Sequence, residues 1–381
     1  MKKLAYIVTQ SELGGAQKNI LLLSRALKEK YEIILYTGPG GLLIDEVKAA
    51  GIEVVVCEDF CREINLIKDL KAFRFLVKEF SVRNFDIVHG HSSKAGFLSR
   101  IAASRAGVRV NAYTAHGFVF NEPMSRFKKW LYMSIESYAS KLGTDLIMVS
   151  DRDLKLANEL GFGSIEANVH IPNGIDFPEK NIVTERKKAA RSSLRREYGI
   201  GDDSILFGTI ANFYETKGHR YLVEAFNTLV AEYRDLDLRL MLIGQGELLG
   251  SMRNLAAGNI IFTGYLKDAE VMIDSFDCLV LPSVKEGFPF VILEGIKHMV
   301  PIIATDVGDV KLVLESGLKE ASIIIGKESS DEILAAMEAF IADRDSMMSN
   351  AEAAYDIMKD VYSLDRMVTE TEKVYERRLS K

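Results

Sequence analysis

Cysteines and long apolar runs are scarce in this sequence. Its 381 residues include three cysteines, Cys57, Cys61 and Cys278, which are too few for a disulfide framework or a four-ligand zinc site. No stretch approaches the roughly 18 apolar residues of a membrane span. The amino-terminal MKKLAYIVTQSELGG has only a short apolar run, which favours a strand over a signal peptide. We therefore expect a cytoplasmic protein.

Positively charged residues are also fewer than negatively charged ones. The 48 Lys and Arg residues are outnumbered by 54 Asp and Glu residues, and the formal net charge is -6. This balance argues against general nucleic-acid binding, although it allows a local basic patch. The chain is too long for one ordinary core and fits two domains of common size.

Short apolar runs alternate with amphipathic stretches along most of the chain. The predicted strands of the first half are 4–9, 32–36, 53–56, 86–89, 108–114 and 145–149. Those of the second half are 205–210, 238–243, 260–262, 278–281, 301–304 and 322–325. Strands that alternate with helices predict α/β domains with doubly wound parallel sheets, which bind ligands at the carboxyl ends of their strands.

The pattern breaks once, between residues 175 and 203. Turn residues there are followed by a highly charged helical run, TERKKAARSSLRREYGI, which we interpret as an interdomain link. The predicted domains are therefore 1–174 and 204–361, with a last helix at 362–381.

The most informative stretch is 281–309, LPSVKEGFPFVILEGIKHMVPIIATDVGD, which predicts a strand, a turn and a helix. Pro289 suits the first helical position, and the amino-terminal end of a helix attracts a phosphate. Glu286 precedes this site, whereas Glu294 lies about 7.5 Å further along the helix axis. Carboxylates on both sides of an anion site suit a diphosphate with a hydroxylated ring at each end, as in a sugar nucleotide. Two solvent-exposed glutamates are the alternative interpretation.

This segment carries a resemblance to a known family. E-G-F-P with a second Glu eight positions after the first resembles the E-x7-E motif of the retaining GT-B glycosyltransferases of family 4. The resemblance implies two Rossmann-like domains that face each other across a cleft, with the last helix packed back on the first domain. It also implies that Glu286 holds the transferred sugar and Glu294 holds the nucleotide ribose. The donor-binding segment of the motif would be Gly287, Phe288, Pro289 and Phe290.

The start of the second domain, GTIANFYETKGHRYLVEAF, reads as strand, loop and helix. Lys217 in this loop is a candidate cation for the diphosphate, and an exposed surface lysine is the alternative. The family places an Arg five residues earlier, where this chain has Asn212, so Arg220 or the helix after Glu286 would have to compensate. By resemblance, the strand-end loops that cradle the base contain Gly244, Tyr265 and Leu266.

In the first half, Gly14 and Gly15 join the first strand to the first helix, where a backbone without Cβ lets a ligand approach. A dinucleotide fold would have G-x-G-x-x-G there, so the pair disfavours a dehydrogenase. His116 follows a predicted strand and points to the ligand-binding edge. The segments HSSKAG and TAHGF resemble the acceptor-side domain of family 4 enzymes that build bacterial surface polysaccharides, which would place His116 at the donor sugar. A histidine metal site with His89 and His91 is the alternative.

No metal or other cofactor is expected. Asp151 and Asp153 match the D-x-D pair of metal-dependent glycosyltransferases, but Ser150 before them favours a helix cap with acids in the first turn. The stretch 124–132, MSRFKKWLY, mixes basic and aromatic residues and suits either an anionic membrane surface or an ordinary amphipathic helix.

The sequence therefore predicts a metal-independent enzyme that moves a hexose or N-acetylhexosamine from a nucleotide diphosphate, with UDP favoured, to a glycan or lipid-linked acceptor. Lys217, the helix after Pro289 and the Gly14–Gly15 turn would stabilise the departing diphosphate. A sugar-nucleotide epimerase of the same fold and a non-catalytic sugar-binding protein are the alternatives.

Overall fold

The computed structural model describes residues 1–61, 63–122 and 124–380. The described chain forms two compact units. Unit 1 contains Met1–Gly174 together with the chain from Leu364 onward, and unit 2 contains Ile175–Ser363. Lys381, the last residue of the predicted terminal helix, lies outside the described residues.

Unit 1 is built on a parallel sheet of seven strands in the order β3-β2-β1-β4-β5-β6-β7. The strands are β1 (Lys2–Ile7), β2 (Tyr31–Thr37), β3 (Glu53–Val56), β4 (Ile87–His91), β5 (Val110–Ala115), β6 (Asp145–Met148) and β7 (Asn168–His170). The helices are α1 (Gly15–Leu27), α2 (Leu43–Ala49), α3 (Leu66–Arg83), α4 (Ser93–Ala106), α5 (Arg126–Ser140) and α6 (Asp151–Glu159). The strand β7 was missed because its three residues are too few for a periodic pattern.

Both faces of this sheet are covered, which explains why its strands read as apolar runs. Leu4 and Tyr6 of β1 point to the face that packs against α1 and α2. Ala5 and Ile7 point to the opposite face, which packs against α3 and α4. Alternate residues of one strand therefore belong to two hydrophobic cores.

Unit 2 contains a second parallel sheet, of six strands in the order β10-β9-β8-β11-β12-β13. The strands are β8 (Ile205–Ile210), β9 (Leu238–Ile243), β10 (Ile260–Gly264), β11 (Cys278–Leu281), β12 (Ile302–Thr305) and β13 (Ser322–Ile325). Its helices are α7 (Lys180–Glu197), α8 (His219–Glu232), α9 (Leu249–Leu255), α10 (Phe290–Lys297), α11 (Val310–Gly317), α12 (Ser330–Ala342) and α13 (Arg344–Val361). The prediction of two α/β domains with parallel sheets is confirmed.

The charged segment that we interpreted as a link belongs to unit 2. It forms α7, whose Arg195 is fully buried and donates to Asp277 at 2.6 Å. Arg191, one turn earlier, donates to the other oxygen of the same carboxylate at 2.5 Å. The high charge of this segment led to its interpretation as an interdomain link, but its arginines bind α7 to the buried carboxylate of Asp277.

The last helix, α14 (Leu364–Leu379), completes the core of unit 1. Met367, Val374 and Tyr375 are buried with side chains of β1 and α1. Near its end, Arg378 donates to the carbonyl oxygen of Thr144 at 2.7 Å. The first domain therefore depends on the end of the chain for part of its core.

Candidate active site

In unit 2, the loop after β8 and the loop after β11 bring Lys217 and Glu286 together. The Lys217 ammonium lies 2.6 Å from Oε1 of Glu286. Ser283 donates a hydrogen bond of 2.7 Å to the same oxygen. Glu286 is largely buried and Lys217 is only partly exposed, so Lys217 is not the exposed surface lysine of the alternative interpretation.

Backbone contacts hold these two loops against each other. The carbonyl oxygen of Thr216 accepts hydrogen bonds from the amides of Val284 at 2.9 Å and Lys285 at 3.3 Å. Gly218 has a φ of +65°, and a Cβ there would lie 2.0 Å from the carbonyl oxygen of Pro282. Any other residue at position 218 would displace the loop. The backbone around Gly218 therefore fixes the position of the neighbouring residue, Lys217.

The helix α10 follows this ion pair directly. Pro289, which we predicted as the first helical residue, is instead the N-cap in the extended conformation, and the helix begins one position later at Phe290. Glu294, the fifth helical residue, is buried, which overturns the alternative of two solvent-exposed glutamates. The opposite end is also held, because Lys187 of α7 donates to the carbonyl oxygens of His298 at 3.1 Å and Met299 at 2.9 Å.

The ATDVGD loop supports the turn that precedes α10. The amide of Asp309 donates to the carbonyl oxygen of Gly287 at 3.0 Å. Gly308, with a φ of +53°, passes so close that a Cβ would lie 2.1 Å from the same oxygen. Phe288 in this turn packs against Tyr362, with ring centroids 5.3 Å apart. The segment Gly287 to Phe290 is thus held in place by its surroundings.

The loops after β8, β9 and β10 lie side by side at the same end of the sheet. The amide of Gly244 donates to the carbonyl oxygen of Gly264 at 2.9 Å, just before Tyr265 and Leu266. The amide of Phe213, next to Asn212, donates to the carbonyl oxygen of Gln245 at 2.9 Å. Backbone hydrogen bonds therefore join the loops after β8, β9 and β10 to one another.

The contacts of Arg220 do not support the expectation that it compensates for the arginine that the family has at the position of Asn212. Arg220 is exposed and its guanidinium binds Glu224, one turn along α8, at 2.8 Å. Lys217 is therefore the cation that this loop presents next to Glu286.

In unit 1, three histidines lie at the carboxyl ends of β4 and β5. Nδ1 of His91 lies 3.0 Å from Nε2 of His116, and the two rings stack with centroids 5.3 Å apart. Burial lowers the pKa of His116 to about 4, so both rings are neutral near pH 7. One ring must donate and the other accept, so the tautomers of His91 and His116 are coupled.

His89 lies deeper and uses both ring nitrogens on protein groups. Nδ1 lies 2.6 Å from the hydroxyl of Tyr375, and Nε2 lies 2.7 Å from the hydroxyl of Thr114. These contacts oppose the alternative of a histidine metal site with His91 and His116. Among residues 1–61, 63–122 and 124–380, no group of three or more His, Cys, Asp and Glu side chains is arranged to hold a metal ion.

We expect the histidines to make unit 1 sensitive to acid. Burial lowers the pKa of His89 to about 3, whereas an unfolded histidine titrates near 6.5. Below about pH 6.5 the histidine is protonated in the unfolded chain, whereas His89 in the folded protein stays neutral until about pH 3. The free energy of unfolding therefore decreases as the pH falls from about 6.5 to about 3. At about pH 4.5 the loss from His89 alone is about 2–3 kcal/mol. This loss can be measured by hydrogen exchange of the β4 amides at about pH 7 and at about pH 4.5. The free energies of opening at the two pH values are then compared.

The control is His89→Gln, which retains a donor and an acceptor but does not titrate. We expect this variant to be less stable at neutral pH and to lose less stability on acidification. Equal pH dependence in the two proteins would show that His89 is not the titrating group.

The glycine pair and the acidic pair of unit 1 are both at helix starts. Gly14 is the N-cap of α1 and Gly15 is its first residue. A Cβ on Gly15 would meet nothing within 4 Å, so space beside the backbone is left at this helix start. Ser150 caps α6 by accepting from the amide of Asp153 at 3.2 Å, which confirms the capping interpretation of the D-x-D letters.

Comparisons with known proteins agree along most of the chain. A family model described as Glycosyltransferase Family 4 matches residues 13–178, and one described as Glycosyl transferases group 1 matches residues 204–343. The chain is 30% identical, over 314 residues, to the UDP-Gal:alpha-D-GlcNAc-diphosphoundecaprenol alpha-1,3-galactosyltransferase of Escherichia coli, covering 80% of this chain and 79% of the relative.

This chain is a family 4 glycosyltransferase. It is also 26% identical to the capsular polysaccharide biosynthesis glycosyltransferase CapM of Staphylococcus aureus, over 78% of each chain. The glycosyltransferase has the GT-B fold, since the structure of HepE from Anabaena in complex with UDP and glucose matches it with a TM-score of 0.83. That match covers 99% of this chain and all of HepE at 17% identity.

Sequence reasoning missed two residues that support this glycosyltransferase's candidate site. Ser283 and His91 each bind a predicted site residue, Glu286 and His116 respectively. His91 entered the sequence analysis only as a metal ligand, and a serine two residues after the end of β11 gave no signal of its own. Within the described parts of the enzyme, no helix combines the length and apolarity of a membrane span.

Proposed function

We propose that this glycosyltransferase moves a hexose or N-acetylhexosamine from a UDP-sugar to a lipid-linked glycan during synthesis of a bacterial surface polysaccharide. The observation that carries the proposal is the Lys217–Glu286 ion pair at the start of α10, the helix that contains buried Glu294. The names of the E. coli and S. aureus relatives support the acceptor and the pathway class. The UDP and glucose in HepE support the donor.

The donor would be held by charge and by backbone groups. We assign the diphosphate to Lys217 and the amino-terminal end of α10, because a cation and a helix dipole both favour an anion there. Glu294 would accept hydrogen bonds from the ribose hydroxyls. The loops with Asn212, Gly244, Tyr265 and Leu266 would surround the base, and Gly14, Gly15 and His116 of unit 1 would contact the sugar.

The ion pair suggests how the site responds to the donor. In the structure, the Lys217 ammonium pairs with the Glu286 carboxylate. A diphosphate would attract the ammonium, and the released carboxylate of Glu286, still held by Ser283, could then accept from a sugar hydroxyl. Donor binding would therefore exchange one ion pair for two substrate contacts.

We propose a retaining reaction that needs no metal ion. The bond from the anomeric carbon to the diphosphate oxygen breaks, and the acceptor hydroxyl oxygen bonds to that carbon on the same face. The acceptor proton leaves with the diphosphate. Lys217 and the α10 dipole would stabilise the negative charge that develops on the departing group. With a lipid-linked acceptor, this chemistry belongs at the cytoplasmic face of a membrane.

The expected result is transfer from a UDP-hexose or UDP-N-acetylhexosamine to a polyprenyl-diphosphate-linked N-acetylglucosamine, measured with a radiolabelled donor. Glu294→Ala should weaken UDP binding roughly 10- to 100-fold in titration calorimetry, because it removes charge-assisted hydrogen bonds to the ribose. Glu294→Gln keeps the size of the buried side chain and should show a smaller loss.

The matched control is Glu315→Ala, which removes a half-exposed glutamate of α11 that pairs with Lys311. Its affinity for UDP should be unchanged. Unchanged UDP affinity in both Glu294 variants would refute the ribose assignment, and conversion of the donor to another sugar nucleotide without acceptor would favour the epimerase.

A further inference from the structure

The residue that ends α10, His298, is a buried histidine held between two acidic side chains. Its side chain is 1% exposed. Nδ1 lies 2.6 Å from a carboxyl oxygen of Asp274, and Nε2 lies 3.3 Å from a carboxyl oxygen of Glu270. An ionised carboxylate only accepts hydrogen bonds, whereas a neutral imidazole has a single N–H to donate. Acceptors at both ring nitrogens therefore favour the imidazolium, which donates to each of them.

The charged groups around this ring come from three elements. Burial lowers the pKa of His298, but hydrogen bonds and charges from Asp274 and Glu270 outweigh it and raise the pKa above its ordinary value. The guanidinium of Arg186, from α7, lies 3.3 Å from Nδ1 and pairs with Asp274 at 3.2 Å. On α10 itself, Lys297 pairs with Glu270 at 2.6 Å. Each acid therefore has one cationic partner besides the ring.

The backbone at the same helix end is also held by its neighbours. Met299 has a φ of +52°, which residues other than glycine rarely adopt. Lys187, whose contacts with this helix end are described above, titrates nearby, because burial lowers its pKa to about 8. It can donate to carbonyl oxygens as an ammonium or as an amine. From α13, Tyr355 is buried beside Met299, and burial raises the pKa of its hydroxyl, so it stays neutral.

The contacts of His298 connect two parts of the candidate donor site. Its amide donates to the carbonyl oxygen of Glu294 at 2.9 Å, one turn earlier on α10. Both acidic partners of its ring belong to the 3₁₀-helix Ala269–Ser275, which begins three residues after Leu266 of the proposed base loop. The ring therefore joins the helix that contains the proposed ribose acid to the segment that follows the proposed base loop.

We propose that His298 is a positioning residue for the donor nucleotide: its imidazolium holds α10 against the 3₁₀-helix Ala269–Ser275 and so keeps Glu294 in register with the base loop. The inference rests on the proposed function, which it deepens by making donor binding depend on one proton. When that proton leaves, the shorter contact with Asp274 retains the remaining N–H, and Glu270 loses its donor from the ring. Nucleotide affinity therefore decreases as the pH rises.

The sign of this pH dependence follows from the raised pKa of His298. Below about pH 6.5, where an unfolded histidine is also protonated, the imidazolium contributes its full stabilisation. That contribution is lost as the pH rises through the pKa of His298 in the folded protein. The effect is opposite to that of His89, whose lowered pKa destabilises unit 1 in acid.

The experiment is calorimetric titration of the full chain with UDP from about pH 6 to about pH 9.5, a range that begins below the ordinary pKa of histidine. At the acidic end, His298→Gln should bind UDP about fivefold or more weakly than the unmodified chain. At the alkaline end, the two affinities should converge. Comparison at each pH removes the titration of the UDP phosphate itself, and nitrogen chemical shifts of the His298 ring report its protonation in the same range.

Glu270→Gln separates positioning from structural support. The glutamine amide can donate to a neutral Nε2, so both ring nitrogens keep a partner without a second ring proton. We expect UDP binding in this variant to be nearly independent of pH, and at the alkaline end to be at least as tight as in the unmodified chain. If Glu270 served only as the partner of Lys297, binding would instead weaken equally at every pH.

His170→Gln, in β7 of unit 1, is the matched control for removal of a histidine, and its profile should follow that of the unmodified chain. Parallel profiles for His298→Gln and the unmodified chain would overturn the inference and assign the pH dependence to Lys187. A His298 ring that is neutral at about pH 6 would overturn it too. If His298→Gln does not fold, the profile of Glu270→Gln decides. Absence of UDP binding at every pH would overturn the proposed function and the inference together, whereas UDP binding that neither variant changes would overturn the inference alone.

Discussion

Lys217→Ala should lower the turnover number for sugar transfer about 10²- to 10³-fold, the usual cost of removing one group that stabilises charge in a transition state. The ammonium contacts Glu286 at 2.6 Å, and the structure shows no second cation in this loop that replaces it: Arg220 pairs with Glu224. The loss should appear at saturating donor, since the charge on the diphosphate grows as the sugar departs. Steady-state release of UDP at saturating donor and acceptor measures it.

Arg220→Ala is the matched control for this prediction. It removes an exposed cation three residues from Lys217 on the same segment, and we expect activity within about twofold of the unmodified enzyme. Equal losses in the two variants would show that Arg220 replaces the arginine that Asn212 displaced. Full activity in Lys217→Ala would refute the proposed role of the lysine.

Asp277→Ala should destabilise unit 2 by about 3–5 kcal/mol, because it leaves buried charges without their partner. Asp277 is fully buried and binds Arg191, Arg195 and Arg344, and it also accepts from the amide of Leu206 at 2.7 Å. Burial alone would raise the pKa of this carboxyl, but the three arginines outweigh it and hold the pKa below its ordinary value. Hydrogen exchange of the β8 and β11 amides reports the change in unit 2 directly.

A surface aspartate provides the comparison. Asp356 also pairs with two basic side chains, Lys180 at 3.2 Å and Lys359 at 3.1 Å, but it is exposed. Asp356→Ala should leave the stability of unit 2 nearly unchanged, because water screens an exposed pair. Similar losses of stability in the Asp277 and Asp356 variants would mean that burial of the arginine cluster contributes little to the stability of unit 2.

Local patterns predicted the fold and the central motif because both depend on neighbours in sequence. The strand, turn and helix from Cys278 to Lys297 follow from an apolar run, a break and a helical spacing within a few residues. The parallel sheets follow from alternation of strand and helix, which needs no knowledge of distant contacts.

Long-range partners could not be predicted in the same way. Ser283 and Glu286 are close in sequence, but Lys217 reaches Glu286 across 69 residues. Arg195 reaches Asp277 across 82 residues, and nothing local marks an arginine in a charged run as fully buried. Capping and hydrophobic spacing act within a turn or two, whereas these ion pairs exist only after the sheet has formed.

The contribution of α14 to unit 1 has a consequence for synthesis of the protein on the ribosome. Tyr375, which contacts His89 at 2.6 Å, is translated only after the whole of unit 2. Unit 1 cannot complete its core until α14 has been translated, although Met1–Gly174 is made before unit 2. Unit 2, whose chain is continuous from Ile175 to Ser363, can therefore mature before the domain that precedes it in the gene.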